Sequence, residues 1–243
     1  MNKTSNNSKP STPHRKRGHE GLAWFILFLL VLILPNLVLA VTEQLTAGGR
    51  GAGIVMPLAV YGLIMSLSRK TGRTMILMFP VLFLGAFQMV LTYLYGRGPI
   101  AVDMWLNLVT TNSGEVGELL SQLLPAIVWV VVIYVPTIAL AATLWAKKRW
   151  ANEAMVKALR LPALCATAAA LLFTALLSGL TPYSPTNDMF PLNAVCNFGM
   201  AFGRQTASVE YKETSKDFRF YAKCSFEDKE PETLVLVIGE TGS

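Results

Sequence analysis

The chain has 243 residues, 53% of them hydrophobic and 15% charged, with a mean hydropathy of +0.45. That is far more apolar than an ordinary soluble domain, so composition indicates a membrane protein. The formal charge of +6 does not indicate nucleic acid: the 21 Lys and Arg cluster at the ends of apolar runs and form no basic face interleaved with aromatics.

Residues 1–20, rich in Ser, Asn, Lys and Pro, read as a disordered basic tail. Crossing a hydrocarbon core of about 30 Å takes roughly 20 apolar residues of helix. Five segments meet or approach that length and predict a transmembrane domain over 21–180: Gly21–Val41, Gly51–Leu67, Met75–Tyr95, Leu124–Ala146 and Leu159–Leu180. The second is the weakest, being short and preceded by "AGGRGAG". Pro35, Pro57, Pro80 and Pro136 fall within or at the ends of spans and are expected to kink their helices without breaking them.

Charge orients the bundle. Lys3, Lys9, Arg15, Lys16 and Arg17 precede the first span; Arg69, Lys70 and Arg73 lie in the 2–3 loop; Lys147, Lys148, Arg149, Lys157 and Arg160 lie at the 4–5 loop. The 1–2 and 3–4 loops hold only Arg50 and Arg97. The positive-inside rule therefore puts the N-terminus in the cytoplasm and everything after Leu180 outside. An alternative is a cleaved signal sequence, with "RKR" before the first run and "VLA" at 38–40 as the cleavage site. The C-terminal part is exported on either reading.

The loop between spans three and four, 96–123, is too long for a bare connector and too polar to cross. Met104, Trp105, Leu108, Val116, Leu119, Leu120 and Leu123 recur at helical spacing, which predicts two short amphipathic helices on the outer membrane face. On an unbroken helix Asn107, Thr111 and Glu115 would share one polar stripe and could contact a ligand. Asn112 followed by Glu115 is also a capping-box pattern, which would start a new helix there and break the stripe. Both readings stand on spacing.

Residues 181–230, with three prolines near their start, suit a linker or surface helix leading into an exported domain. Within them "KDFRFYAKCSF" alternates apolar and polar residues at strand spacing. From 231 onward the unbroken run Leu234–Ile238 fits a buried parallel strand, and Glu240 stands at its carboxyl end, where open α/β sheets bind ligands. Cys165 lies within the fifth span as a small packing residue. Cys196 and Cys224 fall in the exported part, where they could pair with each other, pair with further cysteines or stay buried as thiols.

Two of these stretches carry a family resemblance. "LVLVIGET" at 234–241 resembles the motif that opens the catalytic domain of membrane phosphoethanolamine transferases, relatives of the alkaline phosphatase and sulfatase fold. "NLVTTNSGEVGELL" at 107–120 is similar to the stretch after their third span, and the five-span anchor is similar too. The resemblance implies transfer of phosphoethanolamine from phosphatidylethanolamine to a lipopolysaccharide acceptor, lipid A or core sugar, at the outer face of a bacterial inner membrane. It implies a sulfatase-like zinc enzyme working through a phosphorylated threonine. Glu240 takes the place of a Zn²⁺ ligand, and Asn107, Thr111 and Glu115 fall near the donor head group, with Glu115 placed to meet the ethanolamine ammonium.

The same comparison puts the nucleophilic threonine and the remaining metal ligands beyond residue 243. Residues 231–243 then read as the start of a truncated catalytic domain, inactive alone, and Thr241 is not the nucleophile. Two other readings remain open, a phosphoglycerol transferase or lipoteichoic-type polymer synthase of the same superfamily, and a non-catalytic scaffold. A transporter is disfavoured because Arg160, at the mouth of the fifth span, is the one Asp, Glu, Lys or Arg within the five spans.

Overall fold

A computed structural model describes residues 14–96, 98–110 and 113–219, and for 14–19, 108–110, 113–121 and 212 the backbone alone. The chain divides into two compact units, 1–205 and 206–243. In the first, the described residues form α1 (His14–Thr42), α2 (Ala47–Ser66), α3 (Thr71–Leu77), α4 (Phe79–Tyr95), α5 (Val102–Thr110), α6 (Ser113–Ala146), α7 (Glu153–Leu180), α8 (Pro185–Asp188) and most of α9 (Leu192–Thr214). In the second, they form the end of α9 and a turn after it. No strand occurs among the described residues.

Four helical segments are long and apolar enough to cross a membrane alone: Glu20–Thr42, Ala47–Ser66, Gln122–Ala146 and Glu153–Leu180. The pair α3 and α4 makes a fifth when taken as one span, bent by 60° at Met78. Here the expected kink is a break. Pro80 has no N–H to give Ile76 and its ring crowds that carbonyl, so the helix restarts with Pro80 in its first turn, where neither defect costs anything. Pro35, Pro57 and Pro136 stay inside continuous helices, as do Pro125 and Pro162.

Three further boundaries differ from the sequence expectation. α1 starts at His14, so 14–20 is helical although its composition reads as disordered. α2 and α7 start four and six residues before their apolar runs, each on a capping side chain: Thr46 accepts from the Gly49 amide at 3.2 Å and Asn152 from the Ala154 amide at 3.0 Å. The second expected amphipathic helix is not separate, because 113–123 is the first third of α6 and runs straight into the fourth span.

The bundle centre is built by Phe25, Phe28 and Leu32 of α1, Tyr61 and Met65 of α2, Met75 of α3, Leu82 of α4, and Tyr134, Ala141 and Leu144 of α6. Between lipid-immersed helices association rests on close van der Waals contact, since lipid is as apolar as leucine. α7 accordingly meets α2 through small residues, burying Thr167, Ala170 and Thr174, and turns Leu164, Leu171, Leu172 and Leu176 outward. Cys165 lies on that exposed side, so it is not a packing residue.

The basic loops gather at one end. The Ala151 amide donates to the Arg69 carbonyl at 2.9 Å, Arg149 and Glu20 pair at 3.8 Å, and α3 packs on the C-terminal part of α6. The ends of α1, α4 and α7 meet the segment 98–110 and the linker at the other end.

Candidate functional site

At that second end the chain builds a polar clamp around the start of α5. α4 stops at Tyr95 because Gly96 takes a left-handed φ of 73°, which reverses the chain back over the bundle. Gln88, buried about two turns earlier, then holds the returning segment: its Nε2 donates to the Gly98 carbonyl at 3.0 Å and to Thr92 Oγ1 at 2.9 Å, and its Oε1 accepts from the Ile100 amide at 3.0 Å. The Gly98 amide donates to the Glu43 carboxylate at the end of α1.

α9 closes the clamp. Asn197 Nδ2 donates to the Ile100 carbonyl at 2.6 Å, so both backbone groups of this fully buried residue are satisfied by side chains from different helices. Trp105 Nε1 donates to the Ala194 carbonyl at 3.2 Å, and its ring lies 5.1 Å from Phe87 and 5.2 Å, edge-on, from Phe198. Asn36, inside the first span, donates through Nδ2 to the Phe190 carbonyl at 2.7 Å and the Gly53 carbonyl at 3.0 Å, tying the linker to α1 and α2. Asp103 and Arg204 pair at 3.5 Å on the exposed rim. Tyr183 is buried against Gly49 and Ala52, and burial pushes its phenol up to about 12, with the Asp188 charge adding to the effect.

No known protein family, curated protein or solved structure matches the chain.

Asn107 sits two residues after Trp105, about 200° further round α5, and is exposed while Trp105 is buried. The described part of α5 runs to Thr110 and that of α6 from Ser113, so whether Asn107, Thr111 and Glu115 share one stripe lies outside the described residues. Asn112 of the capping pattern lies outside the described residues, and the backbone of Glu115 is helical within α6. Thr111 and the Glu115 side chain lie outside the described residues, as do the strand 234–238 and Glu240. Residues 216–219, the described part of the other expected strand, are not in a strand. Among the described residues no three His, Cys, Asp or Glu side chains come together to hold a metal.

Gln88, Asn36 and Asn197 are the residues that sequence reasoning passes over. They carry no charge, so a search for ionisable groups inside spans misses Gln88 and Asn36. An amide in an otherwise apolar span is the signal that marks both, since it must find a partner there.

Proposed function

We propose that this chain is the membrane part of a phosphoethanolamine transferase that takes its donor from phosphatidylethanolamine and delivers the group to a lipopolysaccharide acceptor. The two motifs at 107–120 and 234–241 support the reading. The geometric observation that carries it is the clamp of α5 onto α9 through Trp105 and Asn197. It fixes the loop bearing the candidate head-group residues at the same end of the bundle as the linker that leads toward the exported segment. Phosphatidylethanolamine presents a phosphate and an ammonium at the membrane surface, and the rim there offers Asp103, Arg204 and the exposed Asn107.

In this reading the described side chains orient and present the lipid, and Glu240 with ligands supplied elsewhere would hold Zn²⁺, whose chemistry is to make a hydroxyl nucleophilic and to stabilise charge on phosphoryl oxygens. The test uses the product of the whole coding sequence in membranes with head-group-labelled phosphatidylethanolamine. Label appearing on lipopolysaccharide, and falling when Asn107 and Glu115 are replaced by Ala, is the expected result. Transfer from phosphatidylglycerol alone overturns it in favour of a phosphoglycerol transferase, and transfer from neither lipid supports the scaffold.

A further inference from the structure

At the basic end of the bundle, remote from the clamp, a cavity of about 320 Å³ opens between the α2–α3 connection and the start of α7. Its lining includes Arg69, Lys70, Lys157 and Arg160, with Glu153 the one carboxylate among the lining residues. Glu153 is shared by Arg69 at 2.7 Å and Lys157 at 3.0 Å. Lys70 lies 5.4 Å over the Trp150 ring and Arg69 5.9 Å from the same ring. Arg160 donates from Nε and Nη2 to the Ser66 and Leu67 carbonyls, at 3.0 to 3.4 Å, and so covers the C-terminal end of α2.

That inventory leaves charge uncompensated. Lys70 and Arg160 have no ion-pair partner among the described residues, and one carboxylate serves the other two cations. The Nη1 of Arg160 has no protein hydrogen-bond partner among those residues. A surface lysine needs no partner, but four cations converging on one concave site attract an anion, because each raises the local potential for the others.

The walls say which anion. Leu67, Trp150 and Val156 share the lining with the cations, and Leu67 and Trp150 are half exposed. Leu164, one turn after Arg160 on α7, is also exposed, so an apolar track leaves the cavity along the helix toward the middle of the span. A free phosphate has no use for such a track, whereas a phospholipid needs one for its acyl chains. The volume suits a head-group phosphate with its glycerol. Basic pockets between helices at the cytoplasmic surface are where anionic lipid head groups dock.

We propose that this cavity is a binding site for the phosphate of an anionic phospholipid in the leaflet at the basic end of the bundle. Lys70 and Arg160 contact the phosphate, Trp150 packs on the glycerol region, and one acyl chain follows Leu164. The site is independent of the transferase reading and involves none of its residues.

The test places the full chain in phosphatidylcholine nanodiscs doped with brominated phosphatidylglycerol or brominated phosphatidylcholine. The Trp150 signal is the part of the tryptophan emission lost in Trp150→Phe. The expected result is preferential quenching of that signal by the anionic lipid, with apparent affinity falling about fivefold for each charge removed in Lys70→Gln and Arg160→Gln. Lys148→Gln, a charge removed outside the cavity, should leave the preference unchanged. Equal quenching by both lipids overturns the proposal, and so does a preference that survives Lys70→Gln and Arg160→Gln together. Displacement of the anionic lipid by millimolar inorganic phosphate, with the same charge dependence, would assign the site to a soluble anion instead. Should a charge variant fail to insert, the unmodified protein and Trp150→Phe still test the proposal: an anionic preference that added salt abolishes supports it, and equal quenching by the two lipids overturns it.

Discussion

Two residues decide how the ends of the bundle are held. Gln88 satisfies the Ile100 amide and the Gly98 carbonyl, at a site where Gln88 and Ile100 are both buried. Leucine in its place would leave both backbone groups unmet, at a cost of about 1–3 kcal/mol. Gln88→Leu is therefore expected to lower stability in detergent by that amount and to speed hydrogen exchange at the Ile100 amide ahead of the rest of α4. An exchange rate unchanged at Ile100 would show that the amide does not depend on Gln88. At the opposite end Gly72 lets α3 lie directly on α6: a methyl there would collide with the Ala141 carbonyl oxygen and stand 3.1 Å from Leu144 Cβ. A backbone oxygen cannot swing aside, so Gly72→Ala should destabilise by about 1–3 kcal/mol. Gly62→Ala, with nothing within 4 Å, should be neutral or gain up to about 1 kcal/mol. Unfolding by titration with a denaturing detergent, followed by circular dichroism, separates the two.

At the scale of elements, the contact that matters most for the proposed function is α5 against α9. Trp105 fills the space between Phe87 and Phe198 and also donates to Ala194. Trp105→Ala should cost about 3–5 kcal/mol and free α9, whereas Trp105→Phe loses one hydrogen bond, worth about 1 kcal/mol, and should keep the packing. Distance measurement between spin labels at Asp103 and Arg204, paired on the rim, reads this directly: a broadened distribution in Trp105→Ala and a narrow one in Trp105→Phe are expected. The amphipathic spacing that places Trp105 on the apolar face of α5 is legible in the sequence, because periodicity reports a face. Its partners are not, because periodicity carries no information about which carbonyl, 89 residues away, will accept its N–H. The same limit hides Asn36, whose acceptor lies 154 residues on. Pro80 fails for another reason. Locally it looks like Pro35 and Pro136, so the sequence does not separate a 60° break at Met78, with α3 packed on α6, from a kink. For 113–123, two glycines and Pro125 are too weak a signal to end a helix that continues into 20 apolar residues, so α6 runs through.

For the molecule as a whole, the number of crossings fixes which side the linker occupies. Charge bias alone is ambiguous about α3 and α4, since a pair bent by 60° could enter and leave on one face. Contacts within the unit 1–205 argue for a full crossing. The end of α1 meets the residues after α4 through Glu43 and Gly98, and the linker after α7 through Asn36 and Phe190. Those three ends lie together, away from the end where Arg69 meets Glu153. α3 begins beside that basic end and α4 finishes at the other, so the pair runs the length of the bundle, and five crossings are the expectation that labelling tests. Gln44 and Thr186, both exposed, then belong on one side of the membrane and Lys148, also exposed, on the other. With Cys165, Cys196 and Cys224 changed to serine, a membrane-impermeant maleimide added to intact cells should label Gln44→Cys and Thr186→Cys, and should reach Lys148→Cys only after the membrane is opened. Labelling of Gln44→Cys without Thr186→Cys would mean that α3 and α4 re-enter without crossing, and would put the linker on the side of the N-terminus and of Arg69, Lys70 and Arg73. The inverse pattern, Lys148→Cys alone, would keep five spans and reverse the orientation that the arginines and lysines dictate.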